Sequence, residues 1–209
     1  MSLQLKNIYT ARETVLYNMK QQGYNILWQS VSLKELEILE KTNQLDMLLE
    51  TSISPESTPI HKTYIRFLLD TKVSIRNIQK MIDDLYDTTQ MLSTADTLYI
   101  VSINEPNDGI NTYLQQLLNN SGIFIVIESI YRLQYVILAH KIVPKHTVLS
   151  DTEEAEFLAH YRISDKTKLP KIKRNDPVAR ALCIRPGKII CVDRPSRTAV
   201  IAKHYCICQ

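Results

Sequence analysis

An α/β layer with a partly parallel sheet and flanking helices over residues 1–139, followed by a small α+β unit with a mixed sheet over residues 140–209, is the fold class this sequence predicts. Two observations carry the prediction. Strand-like runs alternate with helical periodicity between residues 63 and 128, the order expected of parallel crossovers. The stretch LPKIKRNDPVAR, Leu169 to Arg180, reads as a strand that ends and a helix that begins. The charge also divides. Eleven Lys and Arg stand against fifteen Asp and Glu before His140, net −4, and fourteen stand against seven from His140 onward, net +7. The length of 209 residues sits between one and two domains, and two is our reading.

The chain opens with a helix from Asn7 to Gln22, because Ile8, Val15, Leu16 and Met19 share one face, and Gly23-Tyr24 stops it. A second helix is expected from Leu33 to Glu50, with Leu36, Leu39, Leu48 and Leu49 inward and Glu35, Glu37, Glu40 and Lys41 outward. Ser52 to Pro59, punctuated by Pro55 and Pro59, reads as a polar loop. Strand and helix then alternate as Thr63 to Leu69, Ser74 to Tyr86, Thr97 to Ile103, Ile110 to Leu118 and Ile123 to Glu128. The fourth of these is the best defined. Ile110, Tyr113, Leu114, Leu117 and Leu118 repeat at helical spacing, and Asn119 to Gly122 returns the chain to the sheet. The apolar run Leu133 to Leu138 reads as a further strand leading into the second unit.

In that unit Ser150 and Glu153 form a capping box for a helix to Arg162. Leu169 before Pro170 is pushed to extended backbone, and Lys171, Ile172 and Lys173 alternate as a strand. Asp176 is an N-cap and Pro177 the first helical residue, where a missing N–H costs nothing. A short helix to Leu182 precedes the turn Arg185-Pro186-Gly187-Lys188, and Lys188 to Val192 and Ala199 to Ile207 are strands around Asp193 to Thr198.

No catalytic chemistry is legible. The loop Asn104-Glu105-Pro106-Asn107-Asp108-Gly109 follows a strand and opens a helix, but its two acids and single glycine repel phosphate. All four cysteines, Cys183, Cys191, Cys206 and Cys208, follow residue 140 without a CxxC pair, which suggests free thiols in a reducing compartment. No cleavable signal or membrane-spanning run is read. His204, Cys206 and Cys208 share one strand face, the thiols ~6.5–7 Å apart. Zinc could use such a set, but buried core thiols explain it without metal, so no metal is expected. His140, His146 and His160 lack catalytic neighbours. Lys166, Lys168, Lys171, Lys173, Arg174, Arg180, Arg185 and Lys188 form a basic face, for which a solvated surface is the plain reading and direct phosphate contact the sharper one, the charge asymmetry suggesting an acidic partner, nucleic acid or protein. No aromatic residue lies between Lys166 and Lys203, against base stacking on a single strand.

The strand, capped helix, turn and hairpin order resembles the C-terminal assembly domain of the fifth common subunit of eukaryotic RNA polymerases and its archaeal RNA polymerase homologue. The resemblance opens at His140 to His146. It continues through Leu158 to Tyr161-Arg162, Leu169 to Ile172, Asn175 to Arg180, Arg185 to Ile189, and Arg194-Pro195-Ser196 to Thr198-Ala199. It implies a non-catalytic subunit of a DNA-directed RNA polymerase without cofactors. The C-terminal domain 140–209 would anchor to the largest subunit beside other subunits. The N-terminal domain 1–139 would form part of a jaw near downstream DNA. The interface residues it implies are Leu169, Pro170, Ile172, Asp176, Pro177, Val178, Arg180, Arg194, Pro195 and Ser196. The divergent N-terminal half looks like a homologue encoded by a large cytoplasmic DNA virus, which implies virion and host cytoplasm, with the nucleus as the alternative. A free-standing basic nucleic-acid-binding protein is the competing function, and a small α/β enzyme a third.

Overall fold

The computed structural model describes residues 3–26, 31–51, 61–69 and 72–209, which divide into two compact units, Met1–Tyr135 and Val136–Gln209. In the first, helix α1 (Leu3–Gln21) buries Ile8, Ala11, Val15, Leu16 and Met19, and Gly23 at φ 84° ends it by donating to Lys20 C=O. Helix α2 (Leu33–Lys41) starts on a Ser32/Glu35 capping box and stops nine residues short of the expected Glu50. Thr42 Oγ1 donates back to Ile38 C=O, and Asn43 turns into the left-handed region at φ 54°. The remaining apolar residues form strand β1 (Met47–Glu50), in which Met47 and Leu49 are buried and Leu48 is not: a period of two, not 3.6. The expected loop over 52–59 lies outside the described residues.

Strand β1 is antiparallel to β2 (Lys62–Leu68). Strands β2, β3 (Thr97–Ser102) and β4 (Phe124–Ser129) are parallel, with Thr63 opposite Thr97 and Thr97 opposite Phe124. Every residue of β3 and β4 is buried, as parallel strands covered on both faces require. Leu98, Ile100, Ile125 and Ile127 pack with Ile78, Met81 and Ile82 of helix α3 (Ile75–Ile82), with Leu85 of the π turn Asp83–Thr88, and with Ile110 and Leu114 of helix α4 (Asp108–Ser121). Asn107 Oδ1 caps α4 at Ile110 N–H, 2.9 Å, and Gly122 ends it at φ 69°.

The expected strand Leu133 to Leu138 is instead two 3₁₀ turns, Arg132–Gln134 and Ile137–Ala139. Local bonds win. Gln134 Nε2 donates to Ile130 C=O at 2.7 Å and Asn7 C=O at 3.1 Å, and His140 N–H donates to Ile137 C=O.

The second unit is a four-stranded mixed sheet in the order β5 (Lys145–Val148), β7 (Ile189–Ser196), β8 (Val200–Cys208), β6 (Lys171–Ile172), with only β6 and β8 parallel. On one face Ile190, Val192, Cys206 and Cys208 pack with Val178, Ala179 and Leu182. Val178, Ala179 and Ala181 come from helix α6 (Pro177–Ala181). On the other, Phe157 of helix α5 (Asp151–His160) lies 4.2 Å, centroid to centroid, from Tyr205. Strand β7 runs four residues beyond the expected Val192. Its ladder alternation turns the Pro195 nitrogen to the β5 side, past the last β5 pairing at Asp193, where a missing N–H costs no bond. No helix among the described residues is long and apolar enough to cross a membrane.

Candidate assembly surface

The sequence singles out two groups of residues in the second unit, and each has a structural task. Asp176 Oδ1 accepts the Val178 N–H at 2.9 Å and Asp176 C=O the Arg180 N–H at 2.9 Å, so α6 begins where Asp-Pro sets it. Val178 is buried and half-buried Ile172 packs against the same core. Leu169 and Arg180 are half-buried, and Pro170 and Pro177 are exposed. Arg194 and Pro195 are exposed, while Ser196 Oγ accepts the Thr198 and Ala199 amides at 3.4 and 3.3 Å and closes the β7–β8 turn.

Register decides how far apart the groups lie. Strand β6 pairs with Ile207 and Cys208, whereas Arg194, Pro195 and Ser196 pair with Ala202, Ile201 and Val200. At ~3.3 Å per residue the groups stand on the order of 20 Å apart along β8. They flank one strand and do not form one patch.

The hairpin beyond Asp193 is a two-stranded ribbon with 79 % of Val200 and 59 % of Ile201 exposed. Val200 sits at φ 61°, a backbone that a β-branched residue adopts at a cost.

The basic stretch is not uniformly solvated. Lys166 Nζ lies 2.6 Å from Glu154 Oε2, and Glu154, 4 % exposed, accepts the Ile189 N–H on Oε1 at 2.8 Å. Glu154 thereby ties α5, β7 and the 3₁₀ turn Lys166–Lys168 together, a role that no local pattern announces. Lys188 pairs with Asp151. Lys168, Lys171 and Lys173 remain exposed.

Arg174 is half-buried, and desolvation pulls its guanidinium below the ordinary range; its backbone N–H donates to Gln209 C=O at 2.8 Å. Burial pushes the Cys206 thiol up and the Cys208 thiol up to about 11, which opposes the thiolate that a metal would need. Among the described residues no three His, Cys, Asp or Glu side chains are grouped to hold an ion.

Residues 135–208 match the family described as RNA polymerase Rpb5, C-terminal domain, a span that coincides within a residue with the second unit. The chain is 42% identical over 72 residues to DNA-directed RNA polymerase subunit Rpo5 of Thermococcus celer, covering 34% of this chain and 87% of that protein. This chain belongs to the Rpb5 family. Likeness also extends over the whole length. It is 26% identical over 207 residues to DNA-directed RNA polymerases I, II, and III subunit RPABC1 of Caenorhabditis briggsae, covering 94% of this chain and 93% of that one. The Dictyostelium discoideum subunit rpabc1 is 25% identical over 204 residues, 98% of each. In this Rpb5-family chain, the Asp176-Pro177 turn and the Arg194-Pro195-Ser196 strand lie within the matched span.

Proposed function

We propose that this chain is a non-catalytic subunit of a multisubunit DNA-directed RNA polymerase. The observation that carries the reading is the correspondence between the Rpb5 match and a folding unit with its own sheet and core. Matched relatives that align with nearly the whole chain are, by name, subunits of such polymerases. The unit 136–209 serves as the anchor, and the partner it anchors to is the largest polymerase subunit. Its cationic surface at Lys168, Lys171, Lys173, Arg194 and Arg197 supports an acidic protein partner. The unit 1–135 takes the place of a jaw near downstream DNA. The Glu105–Arg132 pair, 2.6 Å, stands beyond the carboxyl ends of β3 and β4, next to Glu128 buried near the end of β4's ladder, and these acids favour a structural role there over phosphate binding.

Purification of the tagged full-length chain from its native cells tests the reading. Two very large polymerase chains should be recovered in near-equal amounts after nuclease treatment. Recovery of nucleic acid without those chains, in a parallel purification that omits the nuclease, would overturn it in favour of a free basic binding protein.

A further inference from the structure

The outer edge of β8 has no strand opposite it over most of its length among the described residues. Ladder alternation turns the N–H and C=O groups of Ile207, Tyr205, Lys203 and Ile201 away from β7. Ile207 N–H donates to Pro170 C=O at 2.8 Å, and there β6 ends, because the preceding residues turn into the 3₁₀ segment Lys166–Lys168. Ile201 N–H is taken by Ala199 C=O. The backbone groups of Lys203 and Tyr205 have no strand opposite them among the described residues. The open edge is about five residues long, roughly 16 Å, bounded by Leu169-Pro170 at one end and by Ile201 at the other. One group of family-motif residues, Leu169 and Pro170, thus ends the gap, and the other, Arg194 to Ser196, lies across β8 from its far end.

Charge selects what fills it. Neither Lys166 to Asn175 nor Arg194 to Lys203 contains an acid, while Lys168, Lys171, Lys173, Arg194, Arg197 and Lys203 are all there. The only carboxylate on the ribbon is Asp193, in register with Lys203. A second copy of this chain would bring Lys203 against a like edge, and exposed lysine on an edge strand discourages such pairing. An extended acidic strand meets no such repulsion and has exposed Ile201 and Pro195 for its apolar side chains.

We infer that the β8 edge at Lys203 and Tyr205 receives an extended acidic segment of the largest polymerase chain as an added strand. The inference rests on the polymerase-subunit reading above. Its test uses the full-length tagged chain and a Lys203→Pro variant. Proline at this position removes only an outward N–H, so the fold should melt within a few degrees of wild type, while the ring blocks strand addition. Wild type should recover the large polymerase chains and Lys203→Pro at least ten-fold less. Lys203→Ala, which keeps the N–H, should lose only a few-fold. In parallel, residue-resolved hydrogen exchange of the wild-type chain should show the Lys203 and Tyr205 amides fast when free and protected when assembled, a readout that does not depend on the variant folding. Unchanged exchange at these amides on assembly, or wild-type recovery by a folded Lys203→Pro, would overturn the edge alone. Failure of the wild type to recover any polymerase chain would overturn the subunit reading and the edge with it. Self-association of the pure chain that Lys203→Pro abolishes would show a second copy as the occupant and would also refute the inference.

Discussion

Replacing Glu154 with Ala tests the packing of the second unit where it is most specific. The carboxylate is 4 % exposed and holds two donors, the Ile189 N–H at 2.8 Å and Lys166 Nζ at 2.6 Å. Ile189 is itself fully buried, so truncation leaves a backbone donor with neither partner nor water, a penalty of about 1–3 kcal/mol. The Lys166 side chain is 40% exposed and regains water when the pair is lost, so its share is reduced to roughly 0.5–1 kcal/mol. The sum is about 1.5–4 kcal/mol for Glu154→Ala. Glu154→Gln keeps an acceptor for Ile189 and should cost about 1 kcal/mol. Lys166→Ala, which leaves the carboxylate with one bond, should fall between them. Urea unfolding followed by circular dichroism, together with native-state exchange of the Ile189 amide, measures all three. Slow exchange at Ile189 and wild-type stability in Glu154→Ala would refute the reasoning, as would a Gln variant no better than Ala.

Three further outcomes follow from single residues. Asp176→Ala removes the cap on Val178 N–H and should cost about 1 kcal/mol, a fall in Tm of about 2–4 °C; an unchanged melt would remove the cap from the account. Val200→Gly should stabilise the isolated chain by about 1 kcal/mol, because a side chain 79 % exposed gives up little packing while a φ of 61° is relieved; destabilisation would mean that the Val200 side chain packs. Cys208 is held up at about 11 against an ordinary 9.0, so its contribution is whole below pH 9 and is lost as pH rises through about 11. Urea midpoints at pH 8 and 11 should therefore fall by the equivalent of roughly 2–3 kcal/mol more in wild type than in Cys208→Ala, and equal falls would contradict burial as the cause.

What could be read from sequence was what is decided within a few residues. Asp176-Pro177, the Ser150/Glu153 box, Gly122 and the stop at Gly23 act through local backbone geometry, and the structure has each one doing so. The errors came where a partner strand decides. Met47–Glu50 and the run 133–138 are apolar enough for either structure, and pairing with β2 in one case and Gln134 bonds to Ile130 and to distant Asn7 in the other chose the outcome. Lys145–Val148 carries no strong apolar alternation and became a strand only because β7 lies beside it. At the candidate surface, the motif residues were legible but their separation along β8 was not, since it depends on the β6–β8 and β7–β8 registers. Glu154 was invisible for the same reason, its partner Ile189 being 35 residues away.

This chain is expected to work inside a polymerase and to catalyse nothing alone. Gradient sedimentation of extract containing the tagged chain, with template-dependent ribonucleotide incorporation assayed across the fractions, tests it most directly. The chain, 24.1 kDa by itself, should sediment with the incorporating activity in a far larger particle, and the purified chain should incorporate nothing. A chain found only in slow fractions free of activity, or a pure chain that incorporates nucleotides, would contradict the account.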